Sequence, residues 1–104
     1  MQVIARQEYK ITSVHPLGGG RLLLRFVNRT WVTVDFADLI AKGGVFSRLA
    51  DDDYLAAVRI MEGGYFLEWP DELDIGADSL WRRGKRVTEK EAAQLVGASP
   101  SRVA

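Results

Sequence analysis

The chain contains no cysteine, which excludes disulfides, thiol nucleophiles and thiolate metal sites. It holds a single histidine, His15, so histidine-based metal ligation or acid–base catalysis has almost no material to work with. No charge sign dominates: 14 basic and 14 acidic side chains leave a formal net charge of zero, hence no global field to draw in nucleic acid or an anionic membrane. No apolar run approaches the roughly 20 residues that span a bilayer, and the opening MQVIARQEYK lacks the apolar core of a signal peptide. A soluble, cytoplasmic protein with no membrane association, metal or cofactor is expected.

What is present suits one globular fold. An apolar fraction of 47% is ordinary for a packed domain. A chain of 104 residues buries roughly two-thirds of its unfolded surface. Charge is unevenly spread: residues 1–83 hold 10 Lys/Arg and 12 Asp/Glu, whereas residues 84–104 hold 4 and 2. The sign changes near Arg82, Arg83, Lys85 and Arg86. The reading is therefore a body over 1–83 and a helical tail over 84–104.

Alternation places strands at 9–15, 21–27 and 31–36, the first closed by Pro16. Gly18–Gly20 and Asn28–Thr30 are short connections, which demand antiparallel neighbours and so a three-stranded meander. In RLLLRFV, Leu22, Leu24 and Phe26 share one face, while Leu23 is the apolar exception between Arg21 and Arg25. Either Trp31 or Val32 faces inward; alternation alone leaves this open. Short helices are expected near 36–42, capped by Asp35 or Asp38, and near 51–57, opened by Asp51–Asp53. A hairpin joins 58–61 to 65–69 through Glu62-Gly63-Gly64, and Pro70 stops it. Asp78 reads as the N-cap of a helical turn carrying Leu80 and Trp81. The expected core is Leu22, Leu24, Phe26, Val32, Val34, Leu39, Phe46, Leu49, Val58, Phe66 and Leu80. The fold class is α+β: a small antiparallel sheet, a meander plus a hairpin, packed against short helices with a helix at the C-terminus.

In the tail, Thr88-Glu89-Lys90-Glu91 fits a capping box. Ala92, Leu95 and Val96 then form an apolar stripe, and Gly97 stops it. Ser99-Pro100 reads as the start of a second helix, giving the outline of an incomplete helix-turn-helix with Ser101 and Arg102 as base and phosphate contacts. Arg82, Arg83, Lys85 and Arg86 would add phosphate contacts, although the stretch also reads as a solvated hinge.

The strands 11–16, the RLLLRFVNRTWVTVDF hairpin and above all EGGYFLEWPDELDIGADSLW, with its Trp-Pro-x-x-x-Asp-Ile element at 69–75, resemble the small bacterial domain-of-unknown-function 2442 family over about residues 9–83. The resemblance implies a small α+β domain without an established activity. Some relatives carry a following helix-turn-helix, and some are encoded beside a small partner in pairs resembling toxin–antitoxin modules. It carries no catalytic residues.

Other chemistry is poorly supported. Gly18–Gly20 leads into a strand, not the helix a phosphate cradle needs. Asp51–Asp53 lacks the alternate oxygen ligands of a calcium loop. Trp31, Trp69 and Trp81 read as packing, since single-strand stacking grooves are also electropositive. The acidic stretch with Glu68, Asp71, Glu72 and Asp74 is the candidate surface for a basic protein partner. The expected function is a non-enzymatic interaction or regulatory module. An antitoxin-like partner of a small basic toxin, or a DNA-binding regulator acting through the tail, are the alternatives. A homodimer is compatible with each.

Overall fold

In the computed structural model, which describes residues 9–98, alternating sequence becomes two antiparallel sheets sharing one core. Strands β1 (Ile11–Gly18), β2 (Arg21–Phe26) and β3 (Trp31–Asp35) form the expected meander. After β3 come helix α1 (Ala37–Lys42), a 3₁₀ turn over Gly44–Ala50 and helix α2 (Asp52–Ala56). The second sheet consists of β4 (Arg59–Met61), β5 (Phe66–Trp69) and β6 (Leu73–Gly76). Helix α3 (Ala77–Arg83) leads to β7 (Lys85–Val87), which joins β3, and helix α4 (Glu89–Ala98) follows. The sheet orders are β1-β2-β3-β7 and β4-β5-β6.

Four local expectations change. Pro16 does not end β1 but lies within it, opposite Leu22. That is tolerated because β1 is an edge strand, where a missing N–H leaves no ladder bond broken. The acidic stretch after Pro70 is not a loop: Leu73–Gly76 pairs with β5, so the hairpin becomes a second meander. Lys85–Val87 is not a hinge but an edge strand opposite Thr33, Val32 and Trp31. Asp78 lies inside the first turn of α3, whose N-cap is Gly76, and its carboxylate accepts from Ser79 N–H. The Ser99–Arg102 reading lies outside the described residues.

The caps of two other helices follow the sequence. Asp51 accepts from the N–H groups of Asp53 and Tyr54 at the start of α2. At α4 the capping box closes in both directions: Glu91 N–H donates to Thr88 Oγ1 at 3.0 Å, and Thr88 N–H donates to Glu91 Oε1 at 2.8 Å.

Inward faces of both sheets meet Leu49, Leu55, Ala77 and Leu80 in one cluster. Val32, not Trp31, faces this core. Leu39, Phe46 and Val58 are half-buried and pack against it. Phe66 is a correction. Its register opposite Met61 and Gly76 puts it on the outer face of the small sheet, while Leu67 and Trp69 point inward and are fully buried. Ile11, Phe36, Leu55, Leu73 and Ala77 also belong to the core and were not in the expected set.

Leu23 is fully buried on the opposite face of the large sheet. Helix α4 packs against β1 and β2 and buries Ala92, so the apolar exception in β2 is explained by a covering helix. Two glycines permit the close approaches behind this layout. Gly64 has φ +105°, and a Cβ there would lie 2.6 Å from the Ile11 carbonyl oxygen, where the small sheet meets β1. At Gly84 a Cβ would overlap Val32 and lie 2.9 Å from the Leu80 carbonyl, so only glycine lets β7 swing in beside β3.

Candidate functional site

The most specific sequence element proves to be a structural clamp. Trp69 buries its ring against Phe36 in an edge-on arrangement and donates its indole N–H to the Leu55 carbonyl at 3.1 Å. Next to it, the Pro70 carbonyl accepts the Tyr54 hydroxyl at 2.8 Å. Asp71 pairs with Arg48 at 2.9 Å, and the Arg48 guanidinium lies over the Tyr54 ring at 4.2 Å. Three successive residues thus tie the β5–β6 turn to the 3₁₀ turn and α2. The turn itself is strained: Asp71 and Glu72 both take positive φ, 67° and 65°, without being glycine.

This geometry sorts the four acidic candidates. Asp71 is in the clamp. Glu72 is exposed at the turn. Glu68 and Asp74 stand directly opposite each other across β5–β6, on the outer face of the small sheet. Arg59, opposite Glu68 on the other side, pairs with it at 3.4 Å. No ion pair reaches Asp74 among the described residues. Met61 and Phe66 lie on the same outer face and are half-buried.

The basic candidates are largely engaged inside the chain. Arg82 lies 3.8 Å from Asp78, one helical turn away. Arg83 pairs with Asp38 at 2.7 Å. Arg86 lies over the Trp81 ring at 4.3 Å, and Trp81 in turn packs edge-on against Phe26. Lys85 lies on β7, where its carbonyl accepts from the Thr33 hydroxyl. Ser101 and Arg102 lie outside the described residues. Trp31 is half-buried beneath Arg25 and beside His15, so none of the three tryptophans offers a free stacking face.

A larger concavity was not anticipated. An open groove of about 810 Å³ lies beside α4, over the β3–β7 side of the large sheet. Arg21, Asp35, Lys85 and Arg86 contribute to its floor and edge, with Glu91, Gln94 and Leu95 on the helical wall and the Arg83–Asp38 pair among its lining. Its acids are held internally. At Asp38, partial loss of solvent pushes the carboxyl up, but the hydrogen bond and charge of Arg83 more than reverse this and leave it below the usual 3.8. The hydrogen bonds from the backbone and side chain of Thr88 hold Glu91 below the usual 4.5. Asp35 accepts from Ala37 N–H at 2.9 Å. Arg21 could have been suspected from its place on the polar face of β2, but the partners that shape the groove come from distant segments.

Among the described residues, no three His, Asp or Glu side chains gather as a metal site. Of the aspartate triplet, Asp51 caps α2 and Asp52 accepts from Gly19 N–H at 3.0 Å. No described helix is long and apolar enough to cross a membrane.

No curated protein and no solved structure shows significant similarity to the chain. The family model described as protein of unknown function (DUF2442) matches residues 11–86, from the first residue of β1 into β7, which leaves α4 outside the matched span. With most of its length matched, from the first meander through the Trp69–Ile75 clamp, the chain belongs to the DUF2442 family.

Proposed function

We propose that the chain is a non-enzymatic protein-interaction module that receives a basic partner on the outer face of its three-stranded sheet. The observation that carries this is the direct opposition of Glu68 and Asp74 across β5–β6, with Arg59 paired to only one of them. Like charges directly opposed weaken a sheet, so the arrangement has a cost that a cationic partner would remove. Half-buried Met61 and Phe66 on the same face would supply apolar contact. Charge complementarity of this kind mainly sets encounter rate and partner choice. An antitoxin-like role, sequestering a small basic toxin, is the narrower form of this reading. A DNA-binding role through the tail has less support, because Arg82 and Arg83 are in ion pairs and Arg86 is stacked.

The test is co-expression with the product of the adjacent gene, followed by co-purification and titration. The double variant Glu68→Gln, Asp74→Asn should keep its far-ultraviolet circular dichroism and lose affinity about tenfold or more, which is about 1.4 kcal/mol. Unchanged affinity would refute the assignment of the surface. A reproducible turnover activity lost on substituting Glu68, Asp71 or Asp74 would overturn the non-enzymatic reading.

A further inference from the structure

Helix α4 packs on the large sheet without joining the core. The core cluster runs from Ile11 to Leu80 and contains no residue of α4. Leu23 and Ala92 are buried apart from it, where α4 crosses the outer face of the large sheet.

The attachment of α4 is slight. Of its residues only Ala92 is fully buried; Leu95 is half-buried, and Gln94 and Val96 are exposed. Among the described residues, no hydrogen bond, ion pair or ring contact joins α4 to the strands beneath it. Its capping bonds, between Thr88 and Glu91, are local to its own first turn. What remains is apolar contact, which is non-directional and scales with area. A helix of ten residues is also shorter than the roughly 12–15 that are even marginally stable alone in water, so leaving the sheet means unwinding as well. Strand β7, by contrast, is held by its own pairing with β3 and by Arg86 over Trp81. The chain is therefore anchored up to Val87 and weakly tied from Thr88 onward.

We infer that α4 is a detachable cover. It opens as one unit from Thr88 onward while the body stays folded, and opening uncovers the Leu23 face of the four-stranded sheet. The same movement removes Glu91, Gln94 and Leu95, the helical wall of the groove. The groove and the bare apolar face are thus alternative surfaces, one present when α4 is docked and the other when it is released. A partner that binds either one shifts the balance by its differential affinity for the two states.

The absence of cysteine makes the test direct, because a single introduced thiol is a unique reporter. Ala92→Cys and Leu23→Cys place it on the two sides of the cover, and Ala77→Cys places it in the core. Each full-length variant is treated with a thiol reagent, and its rate is divided by that of the same variant unfolded in urea. The variants at 92 and 23 should share one scaled rate, about a hundredfold or more above that at 77, with a shallower urea dependence. Amide hydrogen exchange of the unsubstituted chain, which no substitution has loosened, should show the same order. Residues 92–97 should exchange faster than 22–26 and depend less on urea. A common rate at all three thiols, or equal urea dependence, would mean that α4 opens only with global unfolding and would overturn the inference. So would fast reaction at 92 with slow reaction at 23, since the helix would then fray without uncovering the sheet.

Discussion

Replacing Trp69 by Phe should destabilise the domain by about 2–4 kcal/mol, with no direct effect on the proposed binding surface. The indole N–H is the donor to a buried Leu55 carbonyl, and phenylalanine leaves that acceptor unpaired. An orphaned buried acceptor costs about 1–3 kcal/mol. The smaller ring adds a void beside Phe36, in a core where complete removal of a Trp or Phe side chain typically costs about 3–5 kcal/mol. For a domain of this size each kcal/mol lowers the melting midpoint by about 4–8 °C, so a fall of about 10–25 °C is expected. Urea denaturation followed by far-ultraviolet circular dichroism is the appropriate assay, since the substitution removes a fluorophore. Tyr54→Phe provides the internal comparison. It deletes the hydroxyl that donates to the Pro70 carbonyl in a more exposed setting and should cost only about 0.5–1.5 kcal/mol. A loss below about 0.5 kcal/mol for Trp69→Phe, at unchanged denaturant slope, would refute the clamp as the reason for the Trp-Pro element.

Glu72→Gly should stabilise the fold by about 0.5–1 kcal/mol in the same assay, because glycine relieves a positive φ that glutamate adopts at a cost. Gly84→Ala should destabilise by about 1–3 kcal/mol, since the added Cβ meets Val32 and two backbone carbonyls and displaces β7. Thr88→Ala should weaken α4 by about 1 kcal/mol and show first as faster hydrogen exchange in residues 89–97. The pH response of α4 follows from Glu91. Its folded value lies below 4.5, so its contribution is complete above that pH and is lost as pH falls through 4.5 and then through the lower folded value. Exchange in α4 should rise over that acid window, and Glu91→Gln should flatten the rise.

The parts of this fold that were legible in the sequence are those governed by neighbours along the chain. The β1–β3 meander followed from alternation, the α2 cap from Asp51, and the α4 capping box from Thr88 and Glu91. Two strands were missed because each is too short to establish a period. Lys85–Val87 has three residues and two charges, and Leu73–Gly76 sits inside an acidic stretch where Leu73 and Ile75 were the only alternating signal. Their strand state is set by β3 and β5, which present open edges at the right distance. The clamp was visible as an unusual tripeptide, but its partners Arg48, Tyr54 and Leu55 lie 14 to 23 residues upstream, beyond any periodic rule.

One anomaly in the sequence pointed further than its immediate neighbourhood. Leu23 breaks an otherwise polar strand face, and an apolar side chain there requires a cover. The cover is α4, a helix of ten residues that meets β1 and β2 and fully buries only Ala92 among the residues of its apolar stripe. Leu95 stays half-exposed and Val96 exposed, because a helix this short shields only one side of a four-stranded sheet. The unshielded side is the β3–β7 edge, with Arg21 and Lys85 on its floor. The groove is therefore a consequence of the same mismatch between sheet width and helix size that Leu23 announces. Within it Arg83 pairs with Asp38, Asp35 stands opposite Arg21, and Glu91 is held by the Thr88 cap, so its lining is a mixture of both charge signs.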